Sequence, residues 1–187
     1  MTMTVKKQRD VQTPRVIMHK IADIKGGVSI KTSELTEGIL TEGTPISKPN
    51  NGICNVIKTA EVKEKVADNE TQIKISKGSL FNAGDAILIT EGGKAVKISE
   101  IDRKGKAVDV LTLKEAIGAV EQGAIIAEAK KASQKAALKY EPFAIVGTGL
   151  PINAKDNVIT DAWIIAVTKG NKLPTFVEEK LKGIINY

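Results

Sequence analysis

The chain has little of the material from which most metal and catalytic sites are made. Among its 187 residues there is one cysteine, Cys54, and one histidine, His19. A lone cysteine closes no internal disulfide, and a zinc site needs several Cys or His ligands at set spacing. A Cys–His catalytic pair would have to join Cys54, which has no helix-start context, to His19, which lies in a basic segment; neither position suits a nucleophile and its base. Cys54 reads instead as a small apolar residue of a strand, Ile53-Cys54-Asn55-Val56-Ile57. Aromatic residues make up 3% of the chain, so platforms for stacking on bases or sugars are scarce. The hydrophobic share is nevertheless 42%, enough for a core built from Ile, Val, Leu and Ala. No apolar run reaches the roughly 18 residues of a membrane-spanning helix. The start of the chain carries Lys6, Lys7 and Arg9 without an apolar stretch behind them, which argues against a signal peptide and leads us to expect a cytoplasm-like compartment.

Phosphate and cation motifs are missing as well. Gly147-Thr148-Gly149 follows a strand-like run, but no third glycine stands at the dinucleotide-binding spacing, and Pro151 opposes a helix start. There is no Walker sequence and no calcium loop. Arginine is scarce beside lysine, with 3 against 25, which disfavours base reading and bidentate phosphate recognition.

The net charge of +6 is unevenly placed. Residues 1–33 hold seven basic groups against Asp10 and Asp23, leaving only +1 for the other 154 residues. The basicity therefore belongs to the start of the chain, where Lys6, Lys7, Arg9 and Arg15 form a candidate docking arm for an acidic protein surface. Nucleic acid is the less favoured partner.

What the sequence does contain is a long series of short alternating runs with glycine turns between them. Ile73 and Ile75 alternate with polar neighbours, as do Ile87 and Ile89, then Val96 and Ile98, then Val108 and Val110. Gly84, Gly92-Gly93 and Gly105 punctuate them, the signature of antiparallel strands. Asn51-Gly52 has the chemistry of a two-residue hairpin loop, since both positions tolerate positive φ. Asp161 to Thr168 is almost continuously apolar and predicts a strand buried on both faces. Trp163, the sole tryptophan, and Phe176 are candidate anchors within a core or an interface. Thr175 and Glu178 have the spacing of a capping box, with Gly183 as the helix stop, so one short C-terminal helix is predicted. Residues 128–139, rich in alanine and lysine, predict a helix or connector that presents Lys130, Lys131, Lys135 and Lys139.

The expected fold is mainly β, a β-rich α+β chain of small antiparallel barrel or sandwich-like units with one short C-terminal helix and an extended N-terminal arm. Residues 1–33 are the arm, within which Val16-Ile17-Met18 offers an edge strand and Gly26-Gly27-Val28-Ser29-Ile30-Lys31 reads as a turn and a strand. Residues 34–62 together with 140–187 form one discontinuous β unit, residues 63–128 a central glycine-turn domain, and residues 129–139 the connector. The acidic residues that invite a catalytic reading, Asp85, Asp102 and Asp109, all fall in or beside turns, where a carboxylate accepts local backbone N–H groups. A hydrolase would need Asp85, Asp102 and Asp161 to converge, and no spacing brings them together.

The segments EGILTEGTPISKPNNGICNVIKTAEV, TQIKISKGSLFNAGDAILI and VLTLKEAIGAVEQGAIIAEA, with the ending DAWIIAVTKGNKLPTFVEEKLKGIINY, resemble accessory head proteins of tailed phages, of the head-fibre or auxiliary capsid type. The resemblance covers roughly residues 34–187 and rests on glycine-turn patterns. It implies a virion structural protein, without catalysis or cofactor, that assembles in the host cytoplasm and ends on the capsid surface. It implies a homo-oligomer, a trimer among the arrangements, bound to the major capsid protein. The partner-binding residues expected on this reading are Lys6, Lys7, Arg9, Arg15, Trp163 and Phe176. Two alternatives stay open: a glycan- or small-ligand-binding β-module on a particle surface, with a concave patch around the Phe81 and Trp163 strands, and a neck or tail component.

Overall fold

The computed structural model describes residues 14–153 and 155–187. In chain order the strands are β1 (Ile17–Asp23), β2 (Val28–Ile30), β3 (Gly38–Leu40), β4 (Pro45–Ser47), β5 (Ile53–Cys54), β6 (Thr59–Glu61), β7 (Gln72–Ser76) and β8 (Ala86–Leu88). They continue as β9 (Ala95–Asp102), β10 (Val108–Leu113), β11 (Ile125–Ala129), β12 (Pro142–Val146), β13 (Leu150–Ile152), β14 (Val158–Thr160), β15 (Ala162–Thr168) and, after helix α1 (Thr175–Glu178), β16 (Ile184–Asn186). The protein is mainly β, as its alternating runs predict, and its sheets are open, none of them closing into a barrel.

The largest sheet has the order β6-β11-β8-β9-β10-β7 and is antiparallel throughout. In β7 the apolar Ile73 and Ile75 point inward while Gln72 and Lys74 stay exposed, so one face is apolar by period-two alternation. Its two edges approach one another at a single bridge, Val62 to Ile75. Inside lie Phe81, Ile87, Val96, Ile98, Leu111 and Ile126, with Phe81 the one fully buried ring.

The strands before and after this sheet share a second core. β12 pairs with β4 on one side and β15 on the other, while β1 covers one edge of β15 and β16 runs parallel along part of the other. β2 joins β14 and β5, and β3 joins β13. Ile30, Leu40, Ile46, Cys54 and Val146 fill the space between them. Burial pushes the Cys54 thiol up to about 11, which leaves it protonated and inert. The Asn51-Gly52 turn forms as its sequence requires: both residues have positive φ, 50° and 79°, and Asn50 and Ile53 exchange backbone hydrogen bonds across it. A third cluster, including Leu88, Ala127, Leu138, Ile145, Val177 and Leu181, lies along the seam between the two cores.

Four sequence expectations change. The arm does not extend through residue 33: from Ile17 the chain forms β1 on β15, then β2, whose Val28 and Ile30 are buried. Lys6, Lys7 and Arg9 lie outside the described residues. Residues 129–139 form no helix. Leu138 bridges Ala129, Ser133 bridges Ala95, and Ala136 donates to Gly93. Burial there alternates, with Ala136 and Leu138 inside, so tertiary hydrogen bonds override the helix preference of alanine and lysine. The capping box does not form: Pro174 occupies the cap, without a side-chain hydrogen bond, and Thr175 is already the first helical residue. Gly183 is needed for another reason, because a Cβ there would stand 2.2 Å from the backbone oxygen of Ile164. Finally, β15 is not buried on both faces. Its neighbours satisfy its backbone in the plane of the sheet, but Ile165 is 41% exposed.

Candidate functional site

Two places concentrate unusual side chains. The first is the outer surface of β1, β15 and β16. Among the described residues no strand pairs with the outer edge of β1. Met18 and Ile21 on β1, Ile165 on β15, and Ile185 and Tyr187 at the end of the chain are large apolar side chains left exposed, Ile21 and Ile185 by 62% each. Val167 is in register with His19 on one side and Ile185 on the other, which ties the three strands into one surface. Cationic groups border it: Arg15 and Lys20 are exposed, and Lys169 lies 5.7 Å from the Tyr187 ring. The β1 register slips at three points, and such bulges limit indiscriminate pairing along a bare edge.

Trp163 and Phe176, the expected anchors, lie at the edge of the seam. Both pack half-buried against the seam cluster. The Trp163 indole donates to Asp161 Oδ2 at 2.9 Å, and Lys20 Nζ lies 5.1 Å from its ring. Asp161 feels burial first, which alone would raise its pKa, but hydrogen bonds from Thr148 and Trp163 and the Lys20 charge bring it below the ordinary value. Gly147 makes this geometry possible, since a Cβ would fall 2.2 Å from Asp161 Oδ2 and 2.3 Å from Trp163 Nε1. Gly147→Ala is therefore expected to displace the indole, lower stability by about 1–3 kcal/mol and shift the emission of the sole tryptophan to the red. Unchanged fluorescence and melting would contradict this packing. Phe81 is fully buried in the other core, so Phe81 and Trp163 do not line a common surface groove.

The second place is a buried ionic cluster at the seam. Lys58, just before β6, is 1% exposed and donates to Asp85 Oδ2 at 2.6 Å, with Glu128 Oε1 at 3.4 Å. Glu128, on β11, is itself 2% exposed. Lys139 links Glu128 Oε1 and Glu34 Oε2, both at 2.8 Å. The Tyr140 hydroxyl donates to Glu34 at 2.6 Å, and Lys31 also reaches Glu34. Asp85 keeps the local turn bond expected of it, accepting the Asn82 N–H at 2.7 Å, but its second partner is Lys58. Burial raises the Glu128 pKa against the pull of Lys58 and Lys139. Burial likewise raises Tyr140, to about 12, with the Glu34 hydrogen bond adding to it. Neither Lys58 nor Glu128 belongs to a motif. The available signal was a charge inside an apolar strand run, Val56-Ile57-Lys58 and Ile126-Ala127-Glu128.

Glu34 carries the pH dependence of this cluster. Partial burial opposes its ionisation, but Lys139, Lys31 and Tyr140 outweigh that and lower its pKa from 4.5 to about 2. The folded value lies below the unfolded one, so the stabilisation is complete above about 4.5 and is lost as pH falls toward 2. The melting temperature of the native chain is expected to fall more steeply over that range than that of Glu34→Gln; equal slopes would refute the assignment.

The remaining acids have separate partners. Asp102 caps its own turn through the Lys104 N–H, and Asp109 is buried against Lys77 and the Gly78 N–H. Asp85, Asp102 and Asp161 thus share no partner. Among the described residues no group of three or more His, Cys, Asp or Glu is placed to hold a metal, and no helix is long and apolar enough to cross a membrane. In comparison with known proteins, no family model, curated protein or solved structure matches the chain.

Proposed function

We propose that the protein is a non-enzymatic assembly component of a tailed-phage particle, an accessory protein that attaches to the major capsid protein and decorates or stabilises the head. One observation carries this reading: exposed large apolar side chains on the neighbouring strands β1, β15 and β16, beside a strand edge with no partner among the described residues. Exposed Ile and Met at such an edge suit burial against another protein surface. The border of Arg15, Lys20 and Lys169 suits an acidic one, with charge setting the encounter and apolar contact the lifetime. The resemblance of residues 34–187 to accessory head proteins points the same way. On this reading the chain acts as a homo-oligomer and does not bind nucleic acid.

The oligomer is tested by light scattering on the purified chain. A multimer is expected for the native sequence, and a large shift toward monomer for Ile21→Asp combined with Ile185→Asp, since both positions are exposed and neither charge would enter a core. Identical molar masses for the two would remove this surface from self-association. The role of the basic segment is tested by deleting residues 1–13, because a cut at residue 20 would remove part of β1.

A further inference from the structure

The buried cluster at the seam contains a smaller arrangement with chemistry of its own. β11 lies between β6 and β8. Lys58 stands just before β6 and Asp85 just before β8, while Glu128 lies on β11 between them, its N–H donating to Lys58 O at 3.0 Å and its backbone in register with Ile87. Three adjacent strands thus deliver an amine and two carboxylates to one point, with Lys58 Nζ 2.6 Å from Asp85 Oδ2 and 3.4 Å from Glu128 Oε1. Water is nearly excluded: side-chain exposure is 1% for Lys58, 2% for Glu128 and 15% for Asp85. Glu128 Oε1 is occupied by Lys139, whereas Glu128 Oε2 is buried and has no hydrogen-bond partner.

We propose that Lys58 and Asp85 condense spontaneously into an intramolecular isopeptide bond, with Glu128 carrying the protons. The driving circumstance is enforced contact: amine and carboxyl are held together at a point from which water is nearly excluded. Glu128, starting as a carboxylate 3.4 Å away, takes one proton from Lys58 Nζ and so becomes the acid, and the freed Nζ lone pair attacks Asp85 Cγ. The Nζ–Cγ bond forms as the carbonyl electron pair moves onto oxygen, and Glu128, in its acid form, protonates that oxygen. The tetrahedral intermediate collapses when Glu128, again a carboxylate, accepts a second Nζ proton and delivers it to the departing hydroxyl, leaving one proton on the amide nitrogen. The Cγ–O bond breaks and one water leaves. The ammonium and carboxylate charges cancel, Glu128 ends in its starting state, and no oxidant or cofactor is consumed. Contact at 2.6 Å replaces the encounter that a free amine and acid would need. A cavity of about 90 Å³ lined by Lys58, Thr59, Ser79 and Leu80 adjoins the cluster and has room for the released water. Burial raises the Glu128 pKa, in the direction that suits a group taking up and passing on a proton. The bond would tie β6 to the turn before β8 across β11, at the seam between the two cores. It holds independently of the assembly reading.

The test is intact-mass spectrometry of the full chain, followed by fragmentation of a protease digest. The native chain is expected one water lighter than its calculated mass, with a branched peptide joining the Lys58 and Asp85 segments. Asp85→Asn is expected to react with loss of ammonia instead, a signature that no other dehydration in the chain would follow. Lys58→Arg and Asp85→Ala are expected at their full calculated masses. Glu128→Gln, checked for native circular dichroism, is expected to remain unlinked or to link far more slowly. A native chain at its full calculated mass after prolonged incubation at neutral pH would overturn the proposal, as would a water loss that persists in Lys58→Arg. Native-rate linkage in Glu128→Gln would overturn the role of Glu128.

Discussion

Lys58→Met is expected to destabilise the protein by about 3–5 kcal/mol, the cost of removing one member of a buried ion pair. Methionine fills much the same volume, so the loss is electrostatic rather than a cavity. Asp85 and Glu128 would then face one another in a nearly dry site, with Lys139 alone to offset them. Loss of the proposed isopeptide bond acts in the same direction. The two contributions separate in the variant that combines Lys58→Met with Asp85→Asn and Glu128→Gln. It also lacks the cross-link but carries no uncompensated charge, and it is expected to regain most of the electrostatic loss. Urea unfolding of the native, single and triple variants measures this. A single variant within about 1 kcal/mol of the native chain would mean that the cluster is more hydrated than its geometry indicates.

Phe81→Ala is expected to cost a comparable amount, about 3–5 kcal/mol. Phe81 is the only aromatic residue in the core of the six-stranded sheet and is fully buried among Ile and Val side chains. These branched side chains hold stiff rotamers and cannot close over the missing ring, so a cavity remains. Leu80, next to it, points into the other core. The change is therefore expected to loosen the central sheet first, read as faster amide exchange in β7, β9 and β10 than in β12 and β15. Equal acceleration in both regions would show that the two cores unfold as one unit.

Most of the strand pattern was legible because period two is a local property. Ile73 and Ile75, or Val96 and Ile98, declare an apolar face without reference to their partners. Asn51-Gly52 was legible for a similar reason, since the turn is decided by the φ preference of two adjacent residues. Residues 129–139 misled because their helix preference is also local, whereas what fixes them is hydrogen bonding to Ala95 and Gly93. Val28 and Ile30 were legible as a strand after the Gly26-Gly27 turn, but not as part of a core, because β5 and β14, which hold them, lie far along the chain. Lys58 and Asp85 are 27 residues apart and meet only through the strand order β6-β11-β8, which no spacing reveals. On the surface, the exposure of Ile21, Ile165 and Ile185 depends on what fails to cover them, and apolar letters alone do not distinguish that from burial.

The most direct test of the assembly role is co-sedimentation of the full chain with assembled tailed-phage capsid shells, beside the variant carrying Ile21→Asp and Ile185→Asp. The native chain is expected to pellet with the shells at a fixed ratio, with weaker binding at high salt where the cationic border is screened, and the variant to stay in the supernatant. A native chain that remains in the supernatant at low salt, or a variant that pellets as well as the native chain, would contradict the assignment of β1, β15 and β16 as the docking surface.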